Sequence, residues 1–225
     1  MITRHQYMAY LNEKYAATAN TSKLLQDVLV KNRDILETFI KEKACMTIAL
    51  YRYHNMLFLY YEVIDGAHTP CRIFPFLTSC LKSVPVKDGE LQWLPMHHIY
   101  HNAIPDSVDN WRRHGKKQRI GRIAYLMPDK LISYLYYHKE LLEEGLFEGE
   151  RYLSVAMYDT ILFTYSESPR ILTHLNAESA AESSVIAKWR ALNPKSHFDH
   201  NFSGDGNFVD LEELLSIGWE EIINA

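Results

Sequence analysis

The chain has 225 residues, with 24 Lys and Arg against 28 Asp and Glu, for a formal charge of −4. Hydrophobic residues make up 47% and charged residues 23%, an ordinary globular balance that excludes a disordered or fibrous chain. The mild negative charge argues against a dedicated nucleic-acid binder.

Uncharged stretches such as Phe74–Leu81 fall far short of the roughly 20 apolar residues that span a bilayer, so no membrane partner is expected. Met1–Tyr10 carries Arg4 and His5 without an apolar run, so no signal peptide is expected. Cys45, Cys71 and Cys80 are odd in number and lack CxxC spacing. They read as reduced thiols of a cytoplasmic protein.

Taken in order, His5–Leu11 is a strand candidate. In Ser22–Lys43, Leu24, Leu25, Val28, Leu29, Ile35, Leu36, Phe39 and Ile40 recur at spacings of mostly three and four, which predicts an amphipathic helix. Ile48–Tyr51 and Leu57–Glu62 flank a turn at Arg52–Asn55 and predict a β-hairpin. Cys71–Val84 is a helix candidate interrupted by Pro75, and Trp93–His101 is a strand candidate. On that strand His97 and His101 share a face but stand about 13 Å apart, too far to chelate one ion, so no metal is expected. Asn102–Gln118 is a polar connector. The basic run Trp111–Arg119 reads as its solvated end.

The second stretch repeats this order. Arg119–Met127 is a strand candidate. Asp129–Phe147 is a helix candidate with Leu131, Tyr134, Leu135, His138, Leu141 and Leu142 as its periodic positions. Pro128-Asp129 is its start signal and Gly145 or Gly149 its stop. Val155–Tyr158 and Leu162–Glu167 form a second hairpin about Asp159-Thr160. A helix over Ala177–Leu192 follows, then a loop with His197-Phe198-Asp199-His200, then a strand over Phe208–Ile217.

The second limbs of the two hairpins match without a gap as Leu-Phe-x-Tyr-x-Glu, at 57–62 and 162–167. Each half reads β-α-β-β-α-β, the ferredoxin-like order. A sheet covered by helices on one face must bury the other, and a second copy is a natural cover. The predicted fold is therefore α+β: two tandem ferredoxin-like halves forming an intrachain α+β barrel, a pseudo-dimer. Residues 1–103 form the first half, 104–118 a basic linker and 119–225 the second half. Such a chain suffices as a monomer, although a homodimer is compatible.

Pro128-Asp129-x4-Tyr134-x3-His138, the limb Leu162-Phe163-x-x-x-Glu167, Trp189 and the closing Leu211-x-Glu213-Leu214-Leu215 together resemble the L-rhamnose mutarotase family. The resemblance covers roughly Arg119–Gly218. Lys188 stands where that family has the first of two tryptophans. In the first half the positions matching Tyr134 and His138 are Leu24 and Val28, so that half has lost the motif. The resemblance implies a sugar mutarotase-like epimerase, an isomerase interconverting the α and β anomers of L-rhamnose or a related deoxy-hexose, without a cofactor. It implies His138 as the acid/base group, with Tyr134 and Trp189 holding the sugar. Tyr165 and Met157 of the hairpin are further substrate-binding candidates.

The residues support that chemistry directly. Tyr134 and His138 are four apart and share a helix face. Imidazole exchanges protons near neutrality, and ring opening of an aldose requires only proton transfer. A catalytic His138 is expected to face the barrel interior; if it points between the helix and the sheet instead, the catalytic reading fails. Two other readings stand beside this one: a non-catalytic barrel that binds a sugar or other small ligand, and a different enzyme on the same barrel.

Overall fold

The computed structural model describes residues 1–42, 44–66, 68–112, 117–174 and 182–222. In the first repeat, β1 (Ile2–Tyr10) leads to α1 (Thr21–Lys31) and α2 (Arg33–Lys41). The hairpin β2 (Cys45–Tyr53) and β3 (Met56–Ile64) follows, and then β4 (Trp93–Pro95) and β5 (His97–His101). The second repeat runs β6 (Gln118–Tyr125), α3 (Leu131–Glu144), β7 (Ser154–Tyr158), β8 (Ile161–Ser168), α4 (Ser184–Ala191), β9 (Val209–Asp210) and β10 (Glu212–Gly218). Among the described residues no helix is long and apolar enough to cross a membrane.

The sheets explain the repeat. One has the order β10-β2-β3-β1-β4 and the other β9-β6-β8-β7-β5, with antiparallel neighbours throughout. Four strands of each follow the ferredoxin-like arrangement, and the class is α+β in two halves, as the sequence pattern predicts. The fifth strand is exchanged. The predicted strand Trp93–His101 breaks at Met96 into β4, which pairs with β1, and β5, which pairs with β7. The predicted strand Phe208–Ile217 likewise breaks into β9, on β6, and β10, on β2.

The compact units therefore do not follow linear boundaries at 103 and 119. One comprises Met1–Met96, Pro105–Lys116 and Glu212–Ala225, and the other His97–Ile104 and Lys117–Leu211.

Local chemistry sets the remaining differences. The single helix predicted over Ser22–Lys43 is two helices, because the Asn32 side chain donates to the Val28 carbonyl at 2.8 Å and ends the first. Pro75 reduces Cys71–Val84 to a short helix at Pro70–Ile73 and a 3-10 turn at Pro75–Cys80. The hairpin turns fall where predicted, with His54 and Asp159 at φ of 51° and 52°. The helix predicted from Ala177 is helical over Ser184–Ala191, and residues 175–181 lie outside the described residues.

The first unit has its core between its helices and its sheet. Leu25, Leu29, Leu36 and Ile40 of its helices are fully buried against the sheet, whereas Leu24 is exposed. The inward positions of α1 are thus one residue beyond the expected Leu24 and Val28.

At Arg112 the connector is not a solvated linker, whereas its other described basic residue, Lys117, is only half-buried. Trp111, Arg112 and Arg119 are buried. Arg112 donates through Nε and Nη2 to the two oxygens of buried Glu62, at 2.9 and 2.6 Å. Glu62 also accepts from the Trp111 indole at 3.0 Å and from the Tyr60 hydroxyl at 2.7 Å. The second repeat echoes this, with the Tyr165 hydroxyl donating to Glu167 at 2.5 Å. In register, Arg4 lies opposite Glu62 and Arg119 opposite Glu167. The repeated Tyr-x-Glu is therefore a buried hydrogen bond placed twice.

Candidate functional site

The second unit builds a cavity from three local devices. Pro128 opens a 3-10 turn that leads into α3, and Gly145 at φ 68° closes the helix by donating to the Leu141 carbonyl at 3.0 Å. Between these limits Tyr134, His138 and Leu141 fall on one helix face. Glu144 at the end of α3 then accepts from the Ser183 hydroxyl and from the Ser184 amide, the latter at 2.9 Å. Ser183 caps α4 by accepting from the Ile186 amide at 3.0 Å. The end of one helix is thereby tied to the start of the next, which sets Trp189 beside Tyr134 and His138. The hydrogen bond from Ser183, ahead of its other partners, holds the Glu144 carboxyl below its ordinary range.

The cavity has a volume of about 510 Å³, within the range of small-molecule sites, roughly 300–1,000 Å³. Tyr134, His138 and Leu141 of α3 and Ile186 and Trp189 of α4 form one wall. The sheet supplies the other: Tyr100, Arg122, Val155, Thr164 and Ser166. Glu148, Arg170, Phe198, Asn207 and Phe208 come from the connecting segments. His138 therefore lies between the helices and the sheet of its own unit, contrary to the expectation of a barrel interior. That orientation defeats a catalytic site in the barrel interior; the condition assumed that the open space lies there, whereas the cavity lies between the helices and the sheet, so a site that uses His138 can only be on this side.

His138 is half-buried and its ring is fixed. The Tyr134 carbonyl lies 2.8 Å from Nδ1. A carbonyl only accepts, so Nδ1 carries the hydrogen and Nε2 keeps its lone pair. Among the described residues no hydrogen bond engages Nε2. Burial, and secondarily the neighbouring His197, lower the His138 pKa to about 4, against the opposing pull of the Tyr134 carbonyl. The imidazole is thus neutral at neutral pH. The Tyr134 ring stacks on it at 3.9 Å between centroids, and Trp189 and Tyr100 present edges at 5.4 and 5.7 Å. Burial raises the Tyr134 hydroxyl above the ordinary phenol range. Tyr100 is anchored by its hydroxyl, which donates to Asn102 at 2.9 Å.

Of the five sequence candidates, Tyr134, His138 and Trp189 meet at the cavity. Tyr165 does not line it. Side chains alternate along a strand, and Leu162, Thr164 and Ser166 of β8 take the helix-facing side, so Tyr165 turns away toward Glu167. Met157 packs at the margin of the second core, and Val155 of the same strand lines the cavity instead. Thr164 and Ser166 were legible as polar residues at period two on a face that helices must cover.

The loop at 197–200 is not solvated at its start. His197 is buried, its Nε2 lies 2.7 Å from the Ser133 hydroxyl, and its ring is 4.6 Å from Trp189. Ser133 already donates to the Lys130 carbonyl, so it accepts from His197. Among the described residues no three His, Cys, Asp or Glu side chains are grouped to hold a metal.

No family model matches this sequence, and no curated protein matches it. Among solved structures, the chain is similar to a protein described as a candidate monooxygenase from Fusobacterium nucleatum subsp. nucleatum ATCC 25586, with a TM-score of 0.46 and 8% identity over 96% of this chain and 94% of that one. A second candidate monooxygenase, from Lactobacillus acidophilus NCFM, gives a TM-score of 0.46 and 6% identity over 96% of this chain and 97% of its own. Neither is described as a sugar mutarotase.

Proposed function

We propose that the second unit is a proton-transfer catalyst of the sugar mutarotase type, acting on L-rhamnose or a related deoxy-hexose. The observation that carries this reading is the meeting of Tyr134, His138 and Trp189, from two separate helices, on one wall of the cavity. The aromatic wall suits the C–H face of a pyranose. The hydroxyls of Thr164 and Ser166 and the side chain of Arg122 on the opposite wall suit its oxygens.

In this reading Nε2 of His138 accepts the proton of the anomeric hydroxyl. The bond between the anomeric carbon and the ring oxygen breaks, and the ring oxygen takes a proton. The carbonyl carbon rotates, and the same transfers in reverse close the ring on the other face. A site that holds the imidazole near pKa 4 makes the imidazolium a ready proton donor to the ring oxygen. Only protons move, so no electron carrier enters the balance.

The test is NMR exchange between the α and β anomers of L-rhamnose with and without the protein. Acceleration by the wild type and a loss of roughly 10²–10⁴-fold in His138→Ala, with an unchanged far-UV circular dichroism spectrum, is the expected result. No acceleration with rhamnose or a panel of related deoxy-hexoses overturns the reaction. Retained sugar binding without acceleration favours a binding protein instead.

A further inference from the structure

Tyr100 reaches the cavity through an irregularity of its strand. His97 lies opposite Met157 and His98 opposite Ala156, but Tyr100 lies opposite Val155. Ile99 is the extra residue of a bulge. The bulge puts Tyr100 on the side of Val155, which lines the cavity, with the Tyr100 and His138 ring centroids 5.7 Å apart. Asn102 follows just past the end of β5 and is fully buried. Its Nδ2 donates to the Thr173 carbonyl. That carbonyl only accepts, which fixes the amide, so Oδ1 faces Tyr100 and accepts from its hydroxyl at 2.9 Å. One amide thus ties Tyr100 to the short ribbon of Gly149-Glu150 and Leu172-Thr173, of which Gly149, Glu150 and Leu172 also line the cavity. Gly149 makes room for that amide: a Cβ there would stand 2.8 Å from both Cγ and Oδ1 of Asn102.

We propose that Asn102 is a positioning residue for His138, acting through Tyr100, with Gly149 leaving the space it needs. The inference rests on the reading of His138 as the group that moves protons in the cavity. The imidazole is faced by Tyr134 from its own helix, Tyr100 from β5, Trp189 from α4 and His197 from the segment after α4. Among the described residues Asn102 is the hydrogen-bond partner of the Tyr100 hydroxyl. Without it that buried hydroxyl is unsatisfied, and it regains a partner by admitting water or by turning out to it. Either path hydrates His138 and relieves the burial that keeps the imidazole neutral. A charged His197 also opposes protonation of His138, and the substitutions below leave it in place.

The experiment is an NMR titration of the His138 ring in the full chain from pH 7.5 to pH 5, with the signal assigned by its loss in His138→Ala. In the wild type the ring should stay largely neutral over that range, as a midpoint of about 4 requires. Asn102→Ala and Gly149→Ala should each raise the midpoint by about one unit or more and bring the titration into view, with an unchanged far-UV circular dichroism spectrum. Tyr100→Phe removes the hydroxyl that Asn102 satisfies, so in that background Asn102→Ala should shift the midpoint far less than it does alone. The titration does not depend on the sugar: a wild type without anomer exchange overturns the mutarotase reading, whereas the His138 midpoint decides the role of Asn102. The proposal is overturned if folded Asn102→Ala or Gly149→Ala keeps the wild-type midpoint, or if Asn102→Ala shifts it equally with and without Tyr100→Phe. Should Asn102→Ala fail to fold, Gly149→Ala decides alone.

Discussion

A neutral histidine among aromatic rings makes stability depend on pH in a definite direction. The folded pKa of His138, about 4, lies below its ordinary value of 6.5. The unfolded chain therefore binds the extra proton first as pH falls. Stability from this group is complete above pH 6.5 and is lost as pH falls toward 4. The shift corresponds to about 3 kcal/mol. His5, His68 and His197 are displaced the same way by burial, so the wild type must be compared with His138→Leu. Urea titrations at pH 7 and pH 4.5 should show the larger loss in the wild type. At Glu62, replacement by Gln removes the carboxylate charge that pairs with the buried Arg112 guanidinium. Urea unfolding should show a loss of about 3–5 kcal/mol. Tyr134, His138 and Trp189 were legible as a group because helix spacing keeps two of them together and the family resemblance supplied the third. The burial of Arg112 was not legible, because its partner lies 50 residues earlier and nothing local distinguishes a buried arginine from a solvated one.

At the level of the strand, one alternation decides two roles. Thr164 and Ser166 face the cavity while Tyr165 turns to Glu167. Ser166→Trp should fill the cavity and abolish sugar binding by calorimetry with little change in thermal stability. Tyr165→Phe should do the reverse: binding stays, and unfolding free energy falls by about 1–3 kcal/mol with the loss of a hydrogen bond to a charged acceptor. The sequence pattern located both hairpins and their turns because apolar runs and turn residues are local signals. It did not set Tyr165 apart from the cavity, because both faces of β8 are buried, and the polar alternation of Thr164 and Ser166 was the one local sign of the helix-facing side. The break in the first helix hung on the side chain of Asn32, whose competition with the backbone is invisible to hydrophobic periodicity.

For the whole molecule, the duplication was legible and the exchange of closing strands was not. Both segments that cross over read as single strands in sequence, and only the pairing shows that each serves two sheets. A fragment of residues 119–225 would lack β5 and would carry β10 without β2. Size-exclusion chromatography with light scattering should show it as an oligomer or aggregate, since both deficits leave open edges. A stable, folded monomer would refute this. The exchange also orders events during synthesis. The sheet beneath the cavity has all its strands once Asp210 is made, although most of that unit is encoded late. The other sheet, begun at Ile2, waits for β10, and Arg52 meets Glu212 only after the ribosome has added the intervening residues. At typical elongation speeds that is on the order of 10–30 s. The half of the chain that emerges first is thus the last to close, and β2 is the edge a chaperone would find uncovered on the nascent protein.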